Sequence, residues 1–170
     1  MFTEVTLQQQ IAIVEALARE IWTEHYTPII GRDQVNYMLC TFQSKDAIST
    51  QIETEGYRYF LMEEGGAHVG YMAVQSLGDE LFLSKIYIKA SGRGKGLGKK
   101  AIRFLENLAS GLHLRKISLT VNKNNRTSIK AYEKMGFKNL GPVVQDIGNG
   151  FIMDDFKMEK IVSGSADIGH

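Results

Sequence analysis

Apolar positions along the chain repeat with two different periods. Over 7–22 they recur at Leu7, Ile11, Val14, Ala18, Ile21 and Trp22, one stripe of an amphipathic helix. Thr27-Pro28 and Gly31 interrupt that stripe, because a residue before proline is pushed out of the helical region. Two more helices are predicted, one over 33–43 with Val35, Met38, Leu39 and Phe42 inward. The other, over 44–54, opens on Ser44 as N-cap and buries Ile48 and Ile52. The period then shortens to two. Residues 57–62 and 67–75 read as strands joined by the turn Glu63-Glu64-Gly65-Gly66, and residues 2–5 as a short strand. After Leu77-Gly78-Asp79 comes the run Leu81-Phe82-Leu83 and Ile86-Tyr87-Ile88, branched and aromatic enough for a buried strand. Helical spacing returns at Leu97, Ala101, Phe104, Leu105 and Leu108 and stops at Gly111. Residues 116–121 alternate, with Ile117, Leu119 and Val121 on one face, and a helix over 126–135 stops at Gly136. Strands over 137–146 and 150–159 flank Gly148-Asn149-Gly150.

This order predicts an α/β fold: a mixed, mostly antiparallel central sheet flanked by helices, with one β-α-β crossover. Only that crossover pairs its strands in parallel. No Pro- or Gly-rich linker divides the chain, so 1–162 reads as a single domain and 163–170, small and polar, as a flexible C-terminal tail. The 170 residues are 44% apolar and 23% charged, ordinary for a globular domain. A net charge of +1 gives no electrostatic case for nucleic acid or an anionic membrane surface. The lone Cys40 excludes an internal disulfide and supplies no metal cluster, so no metal is expected. Met1-Phe2-Thr3-Glu4 lacks the features of a signal peptide, and no run is long enough to span a membrane, which together read as cytoplasmic.

Chemistry concentrates between residues 81 and 107, where a strand, a glycine-rich turn and a helix follow one another. Unpaired first-turn amides and the helix dipole favour an anion there, and glycines at alternate positions let amides approach it. Lys95, Lys99, Lys100 and Arg103 add charge. The phosphate loop G-x-x-x-x-G-K-[ST] fails, because position 93 is Arg and Gly98-Lys99 is followed by Lys100. The dinucleotide fingerprint G-x-G-x-x-G fails at Leu97 and Lys99. What remains is Arg-x-x-Gly-x-Gly, at Arg93, Gly96 and Gly98, which a glycine-rich turn with solvated lysines would also satisfy.

A second motif narrows the choice. Val121, Asn125, Ser128, Tyr132, Gly136 and Phe137 follow the pattern V-x-x-x-N-x-x-[AS]-x-x-x-Y-x-x-x-G-F, one helix and one strand beyond the first. Together the two resemble the acyl-CoA loop and strand-and-helix signature of the GNAT superfamily of N-acetyltransferases. The Ile-Tyr-Ile-Lys strand end and the Tyr-Glu-Lys-Met-Gly-Phe helix end are similar to those of small bacterial PaiA-like polyamine acetyltransferases. The resemblance implies acetyl-CoA as cosubstrate, with CoA as product, and direct attack of an amine on the thioester. It implies that the two strands of the crossover splay apart beside the acyl-CoA loop. Ile86, Tyr87 and Ile88 would hold the pantetheine arm, the Ile88 amide serving as oxyanion donor. The pyrophosphate would lie on the amides of Gly94, Lys95, Gly96, Leu97, Gly98 and Lys99, with Arg93 at the head of the loop. Asn125 would bind the pantetheine region and Tyr132 would act as general acid; both also suit plain structural roles, a helix N-cap and a core tyrosine.

An amine of pKa roughly 10.4 is almost wholly protonated at neutral pH, so a proton acceptor is expected. Ser84 and Thr120 stand where members of the family carry Glu. His25, Glu24, Asp154 and Asp155 remain as candidates, and the base is unassigned. The resemblance places the acceptor amine, polyamine-like or a peptide amine, near the first helices and the last hairpin. Trp22, His25, Tyr26 and Asp154 are the leading residues there. Clustered carboxylates opposite aromatic rings would suit a polyamine cation. The plainer alternative puts Trp22 in the core stripe and Asp154-Asp155 on an exposed strand. A non-catalytic acyl-CoA sensor is the rival function, and assembly into a homodimer stays open.

Overall fold

A computed structural model describes residues 1–162, so the tail expected over 163–170 lies outside the described residues. The elements are β1 (Phe2–Glu4), α1 (Gln8–His25), α2 (Thr27–Ile30), α3 (Arg32–Phe42), α4 (Lys45–Thr54), β2 (Tyr57–Glu64) and β3 (Ala67–Leu77). They continue as β4 (Glu80–Ile88), a single 3-10 turn at Ala90–Gly92, α5 (Leu97–Gly111), β5 (Lys116–Asn122), α6 (Arg126–Lys134), β6 (Lys138–Gly148) and β7 (Phe151–Ile161). The strand order is β1-β2-β3-β4-β5-β7-β6, mostly antiparallel, with β4 and β5 parallel. Two compact units divide the chain: Met1–Gln75 with Lys85–Gly98, and Ser76–Ser84 with the described residues from Lys99 onward.

In the first unit the α1 stripe is buried as expected at Ile11, Val14, Ala18, Ile21 and Trp22, and Leu17 joins it. Leu7 does not; it is 52% exposed, because its extended backbone (φ −109°, ψ 149°) makes it the N-cap rather than a first-turn residue. The orphan amides there are met by the Gln10 side chain, whose Oε1 accepts from Thr6 at 2.7 Å and Leu7 at 2.8 Å. Pro28 lies in the first turn of α2, where its missing N–H costs no hydrogen bond, so a short helix survives at the expected break. Ser44 caps α4 by accepting from the Ala47 amide at 3.2 Å.

Sequence periodicity did not anticipate that Gln43 and Gln51 are buried. Burial of an amide is tolerable only with partners, and a relay provides them. Trp22 Nε1 donates to the Tyr71 hydroxyl at 3.3 Å, and that hydroxyl donates to Gln43. Gln43 Nε2 donates to the Tyr59 hydroxyl at 3.0 Å; Tyr59 donates to Gln51, whose Nε2 reaches the Phe42 carbonyl at 2.8 Å. Burial pushes both phenols above their ordinary range.

The second unit contains the parallel ladder, from Glu80↔Lys116 to Leu83↔Leu119. Ile117, Leu119 and Val121 are buried, and so is Ser118 between them, which means that β5 is covered on both faces at that point. β7 lies between β5 and β6, in register Asn122↔Asp155 on one side and Val143↔Asp155 on the other. Within α5, Leu97, Ala101 and Leu105 are buried together with Ile102 and Ala109. Glu106 of α5 is tied to Lys160 of β7 at 3.1 Å.

The relay makes Tyr71→Phe costly despite its small volume change, since Trp22 Nε1 and Gln43 each lose a buried partner. A loss of about 1–3 kcal/mol is expected in urea unfolding. A midpoint unchanged within error would mean that the relay contributes nothing to stability.

Candidate active site

The end of β4 is fixed by its neighbours in the first unit. Lys89 donates its amide to the Val69 carbonyl of β3 at 2.8 Å. Amide direction alternates along a strand, so the N–H groups of Ile86 and Ile88 lie on the edge turned away from β3. A Cβ at Gly70 would fall on the Tyr87 carbonyl oxygen and lie 3.1 Å from Ile88 Cα. One at Gly92 would meet Val69 Cβ at 2.9 Å and Ile88 Cγ2 at 3.1 Å. Arg93 Nε folds back to donate to the Ile88 carbonyl at 2.8 Å. Neither Gly70 nor Gly92 belongs to the glycine pattern that sequence motifs single out, yet both let the backbone close around Ile88.

Beyond Arg93 the chain bends through Gly94 (φ 76°) and Gly96 (φ 74°), both left-handed, with Lys95 between. Alternation of this kind gathers successive amides into an anion-binding concavity, and it runs directly into the first turn of α5. Space is not what selects glycine here: nothing lies within 4 Å of where a Cβ would stand at Gly94 or Gly96. The backbone angle selects it. Leu97 anchors the bend in the core, while Arg93, Lys95 and Lys99 are exposed. Lys95 lies 3.3 Å from Glu64 in a surface ion pair that contributes little.

The acceptor residues expected in the first unit fare unevenly. Trp22 is buried in the α1 stripe, its ring 5.3 Å from Tyr26 and 5.1 Å from Tyr87. Tyr26 meets Tyr87 edge-on at 5.6 Å, so these rings are largely occupied with one another. His25 is half-buried beside Tyr26, at 4.8 Å; burial, then the positive charge of Arg93, holds its pKa below the usual imidazole range and keeps it neutral near pH 7. Lys85 escaped the sequence reading. Its ammonium lies 5.1 Å from the Tyr57 ring centroid and 5.8 Å from that of Tyr59, and burial lowers its pKa to about 8. A cation of the protein itself therefore lies over these two aromatic faces.

In the second unit Asn125 is buried and caps α6, accepting from the Ser128 amide at 3.4 Å. Tyr132 is half-buried, its ring 5.5 Å from Phe137. Asp154 is exposed and paired with Lys123 at 2.8 Å. The plain expectation of an exposed Asp154-Asp155 pair fails at the second residue. Asp155 is 5% exposed, and its Oδ1 has no hydrogen-bond partner among the described residues. Burial, aided by the charge of Asp154, raises its pKa to about 6. Strand alternation could have divided the two faces in the sequence, but which face is covered depends on what packs there.

The model of the Acetyltransferase (GNAT) family matches residues 15–137. N-acetyltransferase 8F1 of Mus musculus is 23% identical over 143 residues, 81% of this chain and 60% of that protein. The chain spans between 42% and 66% of the length of the curated relatives it matches. Among solved structures, the PaiA N-acetyltransferase of Thermoplasma acidophilum in complex with coenzyme A is 19% identical, with a TM-score of 0.76 over 95% of this chain and 99% of that one. A chimera of the spermidine N-acetyltransferase SpeG of Vibrio cholerae is 18% identical, with a TM-score of 0.68 over 98% of this chain and 99% of that one. Among the described residues no helix is long and apolar enough to cross a membrane.

Asp155 also makes a statement about stability. Its pKa is about 6 in the folded chain against 3.8 for an ordinary Asp, so the folded chain holds a proton that the unfolded chain releases. Stability therefore falls as pH rises from about 4 to 6 and stays lower above that window. Asp155→Asn removes the penalty and is expected to gain roughly 1–3 kcal/mol at pH 8 and little at pH 4 in urea unfolding. An asparagine variant less stable than the native chain at pH 8 contradicts this.

Proposed function

Because the chain belongs to the acetyltransferase (GNAT) family, we propose that it transfers the acetyl group of acetyl-CoA directly to an acceptor amine. The observation that carries this reading is the bend from Arg93 to Gly98. Its two left-handed glycines leave amides unshielded at the start of α5, a fit for a diphosphate. On this reading the amides of Gly94, Lys95, Gly96, Leu97, Gly98 and Lys99 hold the pyrophosphate, and Arg93 heads the bend while tying it to Ile88. The backbone of Ile86, Tyr87 and Ile88 receives the pantetheine arm on the edge turned from β3, with the Ile88 amide facing the thioester oxygen. Bound acetyl-CoA supplies an activated carbonyl. Asn125 keeps its side-chain NH2 for the pantetheine region, since its oxygen serves as the α6 cap. Tyr132 protonates the leaving sulfur, its hydroxyl serving as the general acid.

The acceptor we propose is a small cationic amine of the polyamine kind. The SpeG likeness and the adjacent carboxylates Asp154 and Asp155 on β7 support it. Trp22, Tyr26 and Tyr87, packed against one another, contribute shape rather than an open cation cage. Cys40, an exposed free thiol, suits a reducing cytoplasm.

Thiol release from acetyl-CoA is expected with spermidine above an alanyl peptide amine in a mixed acceptor panel. Binding of CoA without turnover on any acceptor would instead support a sensor. Gly96→Val forces a branched side chain into a left-handed position, so CoA binding by calorimetry is expected to fall at least 100-fold while the thermal transition persists. Unchanged affinity would refute the bend as the diphosphate site. Tyr132→Phe is expected to lower kcat about 10- to 100-fold with CoA affinity kept, and equal loss of both would remove the acid role.

A further inference from the structure

We propose that the carboxylate of Asp155, on β7, is the group that takes the proton from the acceptor amine. The inference rests on the acetyl-transfer reading and names the acceptor's partner within it. Neither Ser84 on β4 nor Thr120 on β5 can accept a proton at neutral pH, although an attacking ammonium must lose one. The same face of the sheet offers a carboxylate one strand over. Asp155 is the direct cross-strand partner of Asn122, the last residue of β5, three positions before the Asn125 cap. Directly opposed residues on paired strands project to the same face, so Thr120, Asn122 and Asp155 share it.

Asp155 is not consumed by the fold. A buried carboxylate oxygen without a partner is costly, and native chains keep few of them. Here Oδ1 is buried and unpartnered among the described residues, while the adjacent Asp154 reaches outward to Lys123. The groups facing Asp155 leave it unneutralised. Asn122 of β5 and Val143 of β6 are its cross-strand partners and do not titrate. Lys157, two residues along β7, shares the face one rung away, opposite Thr120. The Asp154 charge next to it, together with burial, raises its pKa to about 6, nearer to that of an amine than an exposed carboxyl would be.

The step balances. Asp155 accepts one proton from R–NH3+, leaving the nitrogen lone pair free to form the N–C bond with the thioester carbonyl. The C–S bond breaks, the sulfur is protonated through Tyr132, and the surplus N–H proton replaces the one Tyr132 gave up. The products are the amide and CoA thiol, and Asp155 returns its proton to solvent.

The test is kcat/KM for spermidine against pH, for the native chain and for Asp155→Asn, with CoA affinity measured on both. The native profile is expected to fall below an apparent pKa near 6, and Asp155→Asn to lose that limb and about 100- to 1,000-fold in kcat/KM, with CoA affinity kept. Asp154→Asn is expected to shift the limb towards lower pH, because it removes the neighbouring negative charge. An Asp155→Asn variant within threefold of the native rate overturns the assignment and leaves acetyl transfer standing. A native chain that acetylates neither spermidine nor any other amine of the panel overturns both. If Asp155→Asn does not fold, the native profile decides: activity flat from pH 5 to 8 overturns the assignment.

Discussion

Ile88 is held from three sides: the Lys89 amide bonds the Val69 carbonyl, the Arg93 guanidinium bonds the Ile88 carbonyl, and Gly70 and Gly92 admit backbone where a Cβ would collide. That close approach fixes where β4 ends and how the chain leaves it. The bend at Gly94 and Gly96 starts from this point, and the first turn of α5 follows within a few residues. A strand end free to move by an ångström would move the amides of the bend with it, and geometry of that kind is what positions a bound ester.

Little else stabilises the bend. Its side chains from Arg93 to Gly96 are exposed, and the Lys95–Glu64 pair is at the surface, where such contacts contribute at most about 1 kcal/mol. Shape comes from two left-handed residues and two fixed ends, with Leu97 as the apolar anchor. The lysines alter the field around the bend more than its form.

Two buried polar groupings contrast. In the first, Trp22, Tyr71, Gln43, Tyr59 and Gln51 form a closed relay in which each donor finds an acceptor. Such a relay specifies one packing of α1, α3 and α4 over the strands. In the second, Asp155 keeps an oxygen with no partner among the described residues. A group left in that state costs stability, and it holds its proton at a pH where an exposed carboxyl would not.

Periodicity and turn chemistry determined the order of the strands and longer helices, the single parallel crossover and the place of the glycine bend, because these depend on contacts a few residues apart. Ser44 and Asn125 are caps for the same reason: their partners, Ala47 and Ser128, are three residues away. Tertiary structure alone decided the rest. Leu7 belongs to the α1 stripe by spacing and is exposed because the helix starts after it. Gln43 and Gln51 are buried because phenols from β2 and β3, distant in sequence, can bond them. Asp154 and Asp155 are identical neighbours in the sequence; strand alternation sends them to opposite faces, and only the covered face turns a solvated carboxylate into a buried one.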